Sequence, residues 1–361
     1  MSLAATPLII AVALSAVQLF TTTTMVAAAR QQASSGLTAD YVLTGAGAGL
    51  APGIAVAVSG VRGVSVVTPV ARTQVLATFQ FGGDPDVEPF SAQGVTPAGL
   101  AGTMDLDVTE GSLAALRGDT VALSRSAAAT LGAGLGQAVR LHLGDGTAVS
   151  PHVVAIYGNG LGFGDITLPN AMVADHATSR LDTVILVRVA SGAGTAAAGE
   201  ALRAAVARYP GVLLSDRDAF TAAQASSLAS QSDVTFILDA VLLAYVMIAV
   251  VNSLVTATAA RAREFELLRL IGATRRQVRA MMRRETLILV AAAVIIGTLI
   301  ALPPLIGVSA GMTRHLVPSI PPLEYLAIVA VVTALGWFSI MVPARLAMRS
   351  RTAGVLNSRQ E

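Results

Sequence analysis

The 361-residue chain is 54% hydrophobic and only 13% charged, with a mean hydropathy of +0.68 and a formal charge of +2, whereas an average soluble domain is about 25% charged. It has no cysteine, and all 24 basic residues are arginine. Disulfides, thiolate metal sites and cysteine nucleophiles are thereby excluded, as are a P-loop ATPase and Schiff-base chemistry, which need lysine.

The chain opens on an apolar run from Met1 to Ala29 without a charged side chain. A membrane span needs about 20 apolar residues, because about 1.5 Å of rise per residue must cover about 30 Å of hydrocarbon. Ala27 and Ala29 before Arg30 give this run a rival reading as a cleaved signal peptide. It lacks the positive start of one, however, and exceeds an apolar region of about 7–15 residues. We therefore read 1–29 as the first transmembrane helix.

Residues 30–233 are a long polar region of mixed α and β character. Strand patterns cover Tyr41–Thr44, Val64–Val70, Gln74–Phe81, Val121–Ser124, Val139–Leu143, Val149–Ile156 and Thr183–Val189. Helices are expected over Ser112–Arg117, Ser124–Leu131 and Thr195–Arg208, and Ser226–Asp233 as a polar stalk leading into the next span. Asp145-Gly146 reads as a two-residue hairpin turn, which pairs His142 with Val149 and puts His142 and His152 on opposite faces, not in a metal site. The carboxylate groups Asp84/Asp86/Glu88 and Asp105/Asp107 lack calcium-loop spacing and read as solvated loops. The glycine runs at 45–49 and 158–164 lack dinucleotide-binding spacing and read as flexible turns. At 4% aromatic content, nucleic-acid stacking is unsupported. No catalytic, cofactor or metal residues emerge.

Three further apolar segments follow: 234–260, 286–308 and 322–344, with a short outer loop at 309–321. Pro303-Pro304 should kink or end the third helix. Asp239 and Glu324 lie close to span ends, where water and headgroups solvate them, and Asn252 reads as a hydrogen-bonding residue between helices. Eight arginines fall within 261–284 and four after Pro343, whereas 30–233 holds eleven against sixteen carboxylates. Short arginine-rich loops stay in the cytoplasm. The loop 261–285, the tail 345–361 and the N-terminus are therefore placed inside and 30–233 outside. The fold class is an α-helical integral membrane protein of four transmembrane helices with a large extracytoplasmic α+β domain.

The cytoplasmic loop is two helices joined by a break. The first carries Glu264, Glu266 and Arg269 beside Leu267, Leu268 and Leu270; Gly272 suits a helix stop. Thr274 then fits an N-cap, and Gln277 completes a capping box. Arginines alone fit a surface lying on anionic lipid. The glutamates and the apolar knob before a capped turn fit a helix that docks into a groove of a partner protein.

The stretch R-x-R-E-F-E-L-L-R-L-I-G-A-T-R-R-Q-V, with Glu285 opening the next span, resembles the signature of the FtsX-like/MacB-type permeases of ABC systems. The exit from the last span, Val342-Pro343-Ala344-Arg345-Leu346-Ala347, is similar to the family's, and Gly118–Ile156 resembles its periplasmic core. The resemblance implies a non-catalytic permease subunit of the bacterial plasma membrane that binds no cofactor itself. ATP and Mg would sit on a cytoplasmic ABC ATPase. Arg263, Glu264, Glu266, Leu268, Arg269, Gly272, Ala273 and Thr274 would form the coupling contact. The second permease copy would be a homodimer partner or another half. Leu3–Phe20 looks like the start of the second half of ten-span, duplicated members. A complete permease, a half-permease subunit and a fragment therefore stay open. The function implied is mechanical coupling of ATP hydrolysis to the outer domain for export or extraction of a lipophilic or peptide substrate. The alternative is mechanotransmission to an extracellular cell-wall hydrolase or sensor without transport.

Overall fold

A computed structural model describes residues 2–47, 49–176, 180–260, 274–313 and 318–349. In chain order, helix α1 (Ser2–Gly36) leads to strand β1 (Tyr41–Gly45), α2 (Pro52–Ser59), β2 (Val64–Phe81) and β3 (Asp84–Val95). Next come α3 (Leu100–Thr103), β4 (Val108–Gly111), a single turn at Leu113–Ala115, β5 (Thr120–Ser124) and α4 (Arg125–Leu131). The middle of the chain forms β6 (Leu141–His142), β7 (Ala148–Val149), β8 (His152–Tyr157), α5 (Gly160–Phe163), β9 (Ile166–Pro169) and α6 (Asn170–His176). It continues with β10 (Val184–Val189), α7 (Thr195–Val206) and β11 (Val212–Asp216). Three long helices close the description: α8 (Arg217–Ala260), α9 (Arg275–Thr313) and α10 (Pro322–Arg349). The chain divides into two compact units, an outer unit over Val26–Ala229 and a helical unit over the remaining long helices.

In the outer unit the strands form one mixed sheet in the order β11-β1-β10-β2-β3-β9-β5-β8-β4, with the short β6 and β7 attached beside β2. Alternation of apolar side chains along β2, β3, β5 and β9 buries Val75, Ala77, Phe90, Leu123, Ile166 and Leu168 in one core beneath α4 and α6. A second core, under α2 and α7, takes Leu43, Ile54, Ile185, Val187 and Leu202. The start of α4 follows its sequence closely. Ser124 accepts the Ala127 N–H at 3.1 Å as N-cap, and Gly132 ends the helix in the left-handed conformation (φ 62°), which glycine adopts without a steric penalty.

β3 departs from the sequence expectation. Asp84, Asp86 and Glu88 do not lie in a solvated loop; they lie in the outer half of a strand that pairs with β2 from Phe81↔Asp84 to Val70↔Val95. Gly82 and Gly83, both with positive φ (63° and 99°), make the two-residue turn. Pro85 and Pro89 obscure the strand in the sequence. Ser91, in step with them, presents its carbonyl to Asp165 on the side away from β2. Both prolines thus occupy the edge-facing positions, where no ladder bond is lost.

The 141–149 hairpin is offset by one residue from the expected register. Leu141 pairs with Val149 and His142 with Ala148, because Leu143 N–H bonds Thr147 C=O across a longer turn. His152 pairs with Ala138. The two histidines therefore share a face, not opposite ones as expected, but on pairs four residues apart, roughly 13 Å along the ladder. The glycine-rich run 158–164 is also not a free turn. It forms α5, against which the end of α1 is seated: a Cβ on Gly162 would lie 3.0 Å from Ala33 N, and one on Gly36 would lie 2.4 Å from Phe163 Cε2 and 2.7 Å from the Asp105 carbonyl oxygen.

In the helical unit, α1, α8, α9 and α10 share a core of Leu8, Val12, Val250, Leu289, Ala293 and Val332. A second core contains Phe20, Ala301 and Leu305. Among the described residues, two helices, Thr6–Gly36 and Arg283–Gly311, are long and apolar enough to cross a membrane. Ala240–Ser253 and Pro322–Phe338 are apolar but shorter. Large apolar side chains point outward, among them Ile237, Tyr245, Ile295, Leu299 and Leu323, a surface suited to lipid. α9 does not end at Pro303-Pro304 but runs through them to Thr313. Inside a bundle the neighbouring helices offset the lost backbone bonds. Asn252 is exposed in this single chain.

Substitution Gly36→Ala is expected to destabilise the full chain by about 1–3 kcal/mol through overpacking, measured by thermal unfolding in detergent. Removing the Phe163 ring in the same protein should not restore stability, since the Asp105 backbone oxygen remains in the way.

Candidate functional site

Of the residues expected at the ATPase contact, Arg263, Glu264, Glu266, Leu268, Arg269, Gly272 and Ala273 lie outside the described residues. Thr274 lies within them and begins α9. The Thr274 Oγ1 accepts the Gln277 N–H at 3.3 Å. In return Gln277 Oε1 accepts the Thr274 N–H and hydroxyl, both at 2.9 Å. Two of the orphan donors that open a helix are thereby satisfied reciprocally. Arg275 and Arg276 open α9, whose first turn holds no acidic residue, although a helix N-terminus favours negative charge. Helix formation alone does not call for them. Further along, the Arg283 guanidinium lies 5.7 Å from the centre of the Trp337 ring, within cation–π range.

A second constellation lies in the outer unit, where α1 ends and α8 begins. The Gly36 carbonyl, one of the unpaired acceptors at the end of α1, takes the Asp105 N–H at 2.7 Å. Thr38 and Ala39 N–H groups both donate to the Thr103 carbonyl, at 3.1 and 3.0 Å. Arg217, the first residue of α8, donates its backbone N–H to the Asp40 carbonyl at 3.1 Å. Its side-chain Nε donates to the Ala39 carbonyl at 2.9 Å, and its Nη2 to the Thr38 carbonyl. The Arg188 guanidinium of β10 also donates to the Thr38 carbonyl and lies 3.6 Å from the Asp40 carboxylate. Asp40 in turn accepts the Val189 N–H at 2.8 Å. Asp216 caps α8 by accepting the Ala219 N–H at 2.7 Å. Arg217 thus ties the start of α8 to the segment that follows α1, and Arg188 ties that segment to β10.

The sequence reading opened the stalk at Ser226 and missed this joint. Its signal was present: Asp216 at an N-cap position after an apolar strand, with Asp218 in the first turn. The arginine-to-carbonyl bonds left no trace, because backbone acceptors have no residue type.

The remaining candidates resolve as structure. Among the described residues no group of three or more histidines and carboxylates is placed to hold a metal ion. Asp105 Oδ1 accepts the Asp107 N–H at 2.9 Å, and Asp107 takes a positive φ of 55°. The pair closes the loop beneath the end of α1. Tyr157, fully buried, has its hydroxyl pKa pushed up by desolvation. Asp145 is bonded to His176 at 2.9 Å. That bond, with the Thr147 amide, holds its carboxyl down to about 2.

Two family models match successive stretches of the chain. The family model of the MacB-like periplasmic core domain matches residues 2–205, and that of the FtsX-like permease C-terminal matches residues 236–351. Among solved structures, the extracellular domain of the noncanonic ABC-type transporter YknZ from Gram-positive bacteria aligns at 16% identity, covering 48% of this chain and 98% of that one, with a TM-score of 0.38. The periplasmic region of MacB from Actinobacillus actinomycetemcomitans aligns at 14% identity, covering 52% and 94%, with a TM-score of 0.39. A domain of a permease protein from Porphyromonas gingivalis aligns at 19% identity, covering 50% and 89%, with a TM-score of 0.36. No curated protein matches the chain in sequence.

Removing the Arg217 side chain (Arg217→Ala) should cost about 1.5–3 kcal/mol, the range for hydrogen bonds to a charged group. Hydrogen exchange over 36–40 and 217–222 should quicken, and Arg217→Lys, lacking the planar fork, should not restore protection. For Asp145, a carboxyl with a depressed folded pKa stabilises above the unfolded value, and the contribution is lost as pH falls through the folded one. Protection of the Thr147 amide, corrected for its intrinsic exchange rate, should therefore fall between pH about 4 and about 2. In Asp145→Asn that pH step should vanish.

Proposed function

The chain belongs to the FtsX-like/MacB-type family of ABC transporter permeases, and we propose that it is the membrane subunit that transmits an ATPase cycle to an extracytoplasmic domain. The observation that carries this reading is the order of the two matched regions. A match to the MacB-like periplasmic core, over 2–205 and including α1, is followed on the same chain by a match to the FtsX-like permease C-terminal over 236–351, and α8 (Arg217–Ala260) runs from the interval between them into the second.

On this reading α1, α8, α9 and α10 are four spans, with both termini and the arginine-rich loop in the cytoplasm, following the placement of positive charge. The loop residues Arg263, Glu264, Glu266, Leu268, Arg269, Gly272, Ala273 and Thr274 contact a separate ATPase, which holds ATP and Mg. Support for that contact comes from the capped start of α9 and from first-turn arginines that its helix does not require. The subunit itself is non-catalytic. Two permease chains, identical or not, assemble about the ATPase pair. Closure of that pair moves the helices, and the Arg217 joint carries the movement into the outer domain. The cargo is a lipophilic or peptide substrate exported or extracted on the outer side.

Charge reversal at Glu264 and Glu266 together should abolish co-purification with the ATPase and remove its stimulation. Retention of both after the double reversal would refute the coupling assignment.

A further inference from the structure

Gln93 of β3 is 1% exposed, and its amide orientation is fixed by a chain of hydroxyls. Tyr157 has one hydroxyl proton and gives it to the Gly164 carbonyl at 2.8 Å, because a carbonyl only accepts. The 3.0 Å contact between Thr167 and Tyr157 must then use the Thr167 proton. Thr167 is left as the acceptor for Gln93 Nε2 at 3.1 Å. Gln93 Oε1 is therefore directed elsewhere, and it is buried without a partner. A buried acceptor in that state favours any donor that reaches it.

Gln93 lines a pocket of about 20 Å³ with Arg72, Met104, Phe163, Phe220 and Gln224. That volume takes one water-sized group. Ala33 and Gln224 of this pocket also line a larger cleft of about 540 Å³ between the end of α1 and the start of α8, within the size range of small-molecule sites. Ala33 and Ala222 give that cleft apolar walls, while Arg30, Ser34, Asp218 and Thr221 add polar groups. All of these residues belong to the outer unit.

We infer that the cleft binds a single-chain amphiphile, an aliphatic alcohol or primary amine. Its hydroxyl or ammonium group donates to Gln93 Oε1, and its chain lies along the cleft. A tertiary amide or a methyl ether is disfavoured, since neither carries a donor for the waiting acceptor. The site concerns binding by the outer domain and does not rest on coupling to an ATPase.

The full chain in lipid nanodiscs is irradiated with dodecyl probes carrying a chain diazirine and ending in a primary alcohol, a primary amine or a methyl ether. Labelled peptides are mapped by mass spectrometry. Alcohol and amine should label 30–37 and 218–224 about fivefold or more above the ether, as expected for one hydrogen bond. Gln93→Leu should reduce alcohol labelling to the ether level. Gln93→Glu, which keeps an acceptor, should retain amine labelling and serves if the leucine variant does not fold. Equal labelling by the three probes, no labelling of these segments, or undiminished alcohol labelling in folded Gln93→Leu overturns the assignment and leaves a bound water as the occupant.

Discussion

Every helix ends with backbone groups that have no partner inside it, and the outer unit is organised around supplying those partners for two helices at one place. The last carbonyl of α1 is met by the Asp105 amide, and the first amide of α8 by the Asp40 carbonyl. Two guanidinium groups then bind the carbonyls between them. The end of α1 and the start of α8 are thus anchored in the outer unit through their main chain. Much of the surrounding sequence serves this arrangement: the close glycines Gly36 and Gly162, the strained Asp107 loop, and the Asp216 cap.

The pattern of residues made much of this legible, and the exceptions have identifiable causes. Apolar alternation announces β1, β5 and β10; Ser124 and Gly132 announce the two ends of α4; Thr274 and Gln277 announce their reciprocal bonds. β3 was hidden because Pro85, Pro89 and three carboxylates argue against a strand unless its free edge is known, and edge position is a property of the sheet. The 141–149 register depended on turn length, which Asp-Gly does not determine. α5 was hidden because glycine run and flexible loop look alike until the helix packed against the glycines is in place.

The candidate site divides in the same way. Local chemistry is readable: a capping box is a three-residue spacing, and an arginine-rich loop is a count. Long-range chemistry is not. Arg188 and Thr38 are 150 residues apart, and the acceptor that joins them is a main-chain oxygen. The orphaned oxygen of Gln93 follows from the order of donors along Gln93, Thr167 and Tyr157, a chain that exists only once the sheet brings β3, β9 and β8 into one neighbourhood.

In the helical unit, a Cβ on Gly297 of α9 would lie 2.7 Å from Val12 Cβ and 3.0 Å from the Ile9 carbonyl oxygen of α1, while one on Gly336 of α10 would lie 2.8 Å from Val290 of α9. α9 is therefore keyed on two sides, by its own notch against α1 and by a notch in α10 that receives its Val290. Turning α9 about its axis would replace a notch with a side chain at both contacts together. Sliding it lengthwise would do the same, so the two notches fix both the rotation and the register of α9 against its neighbours.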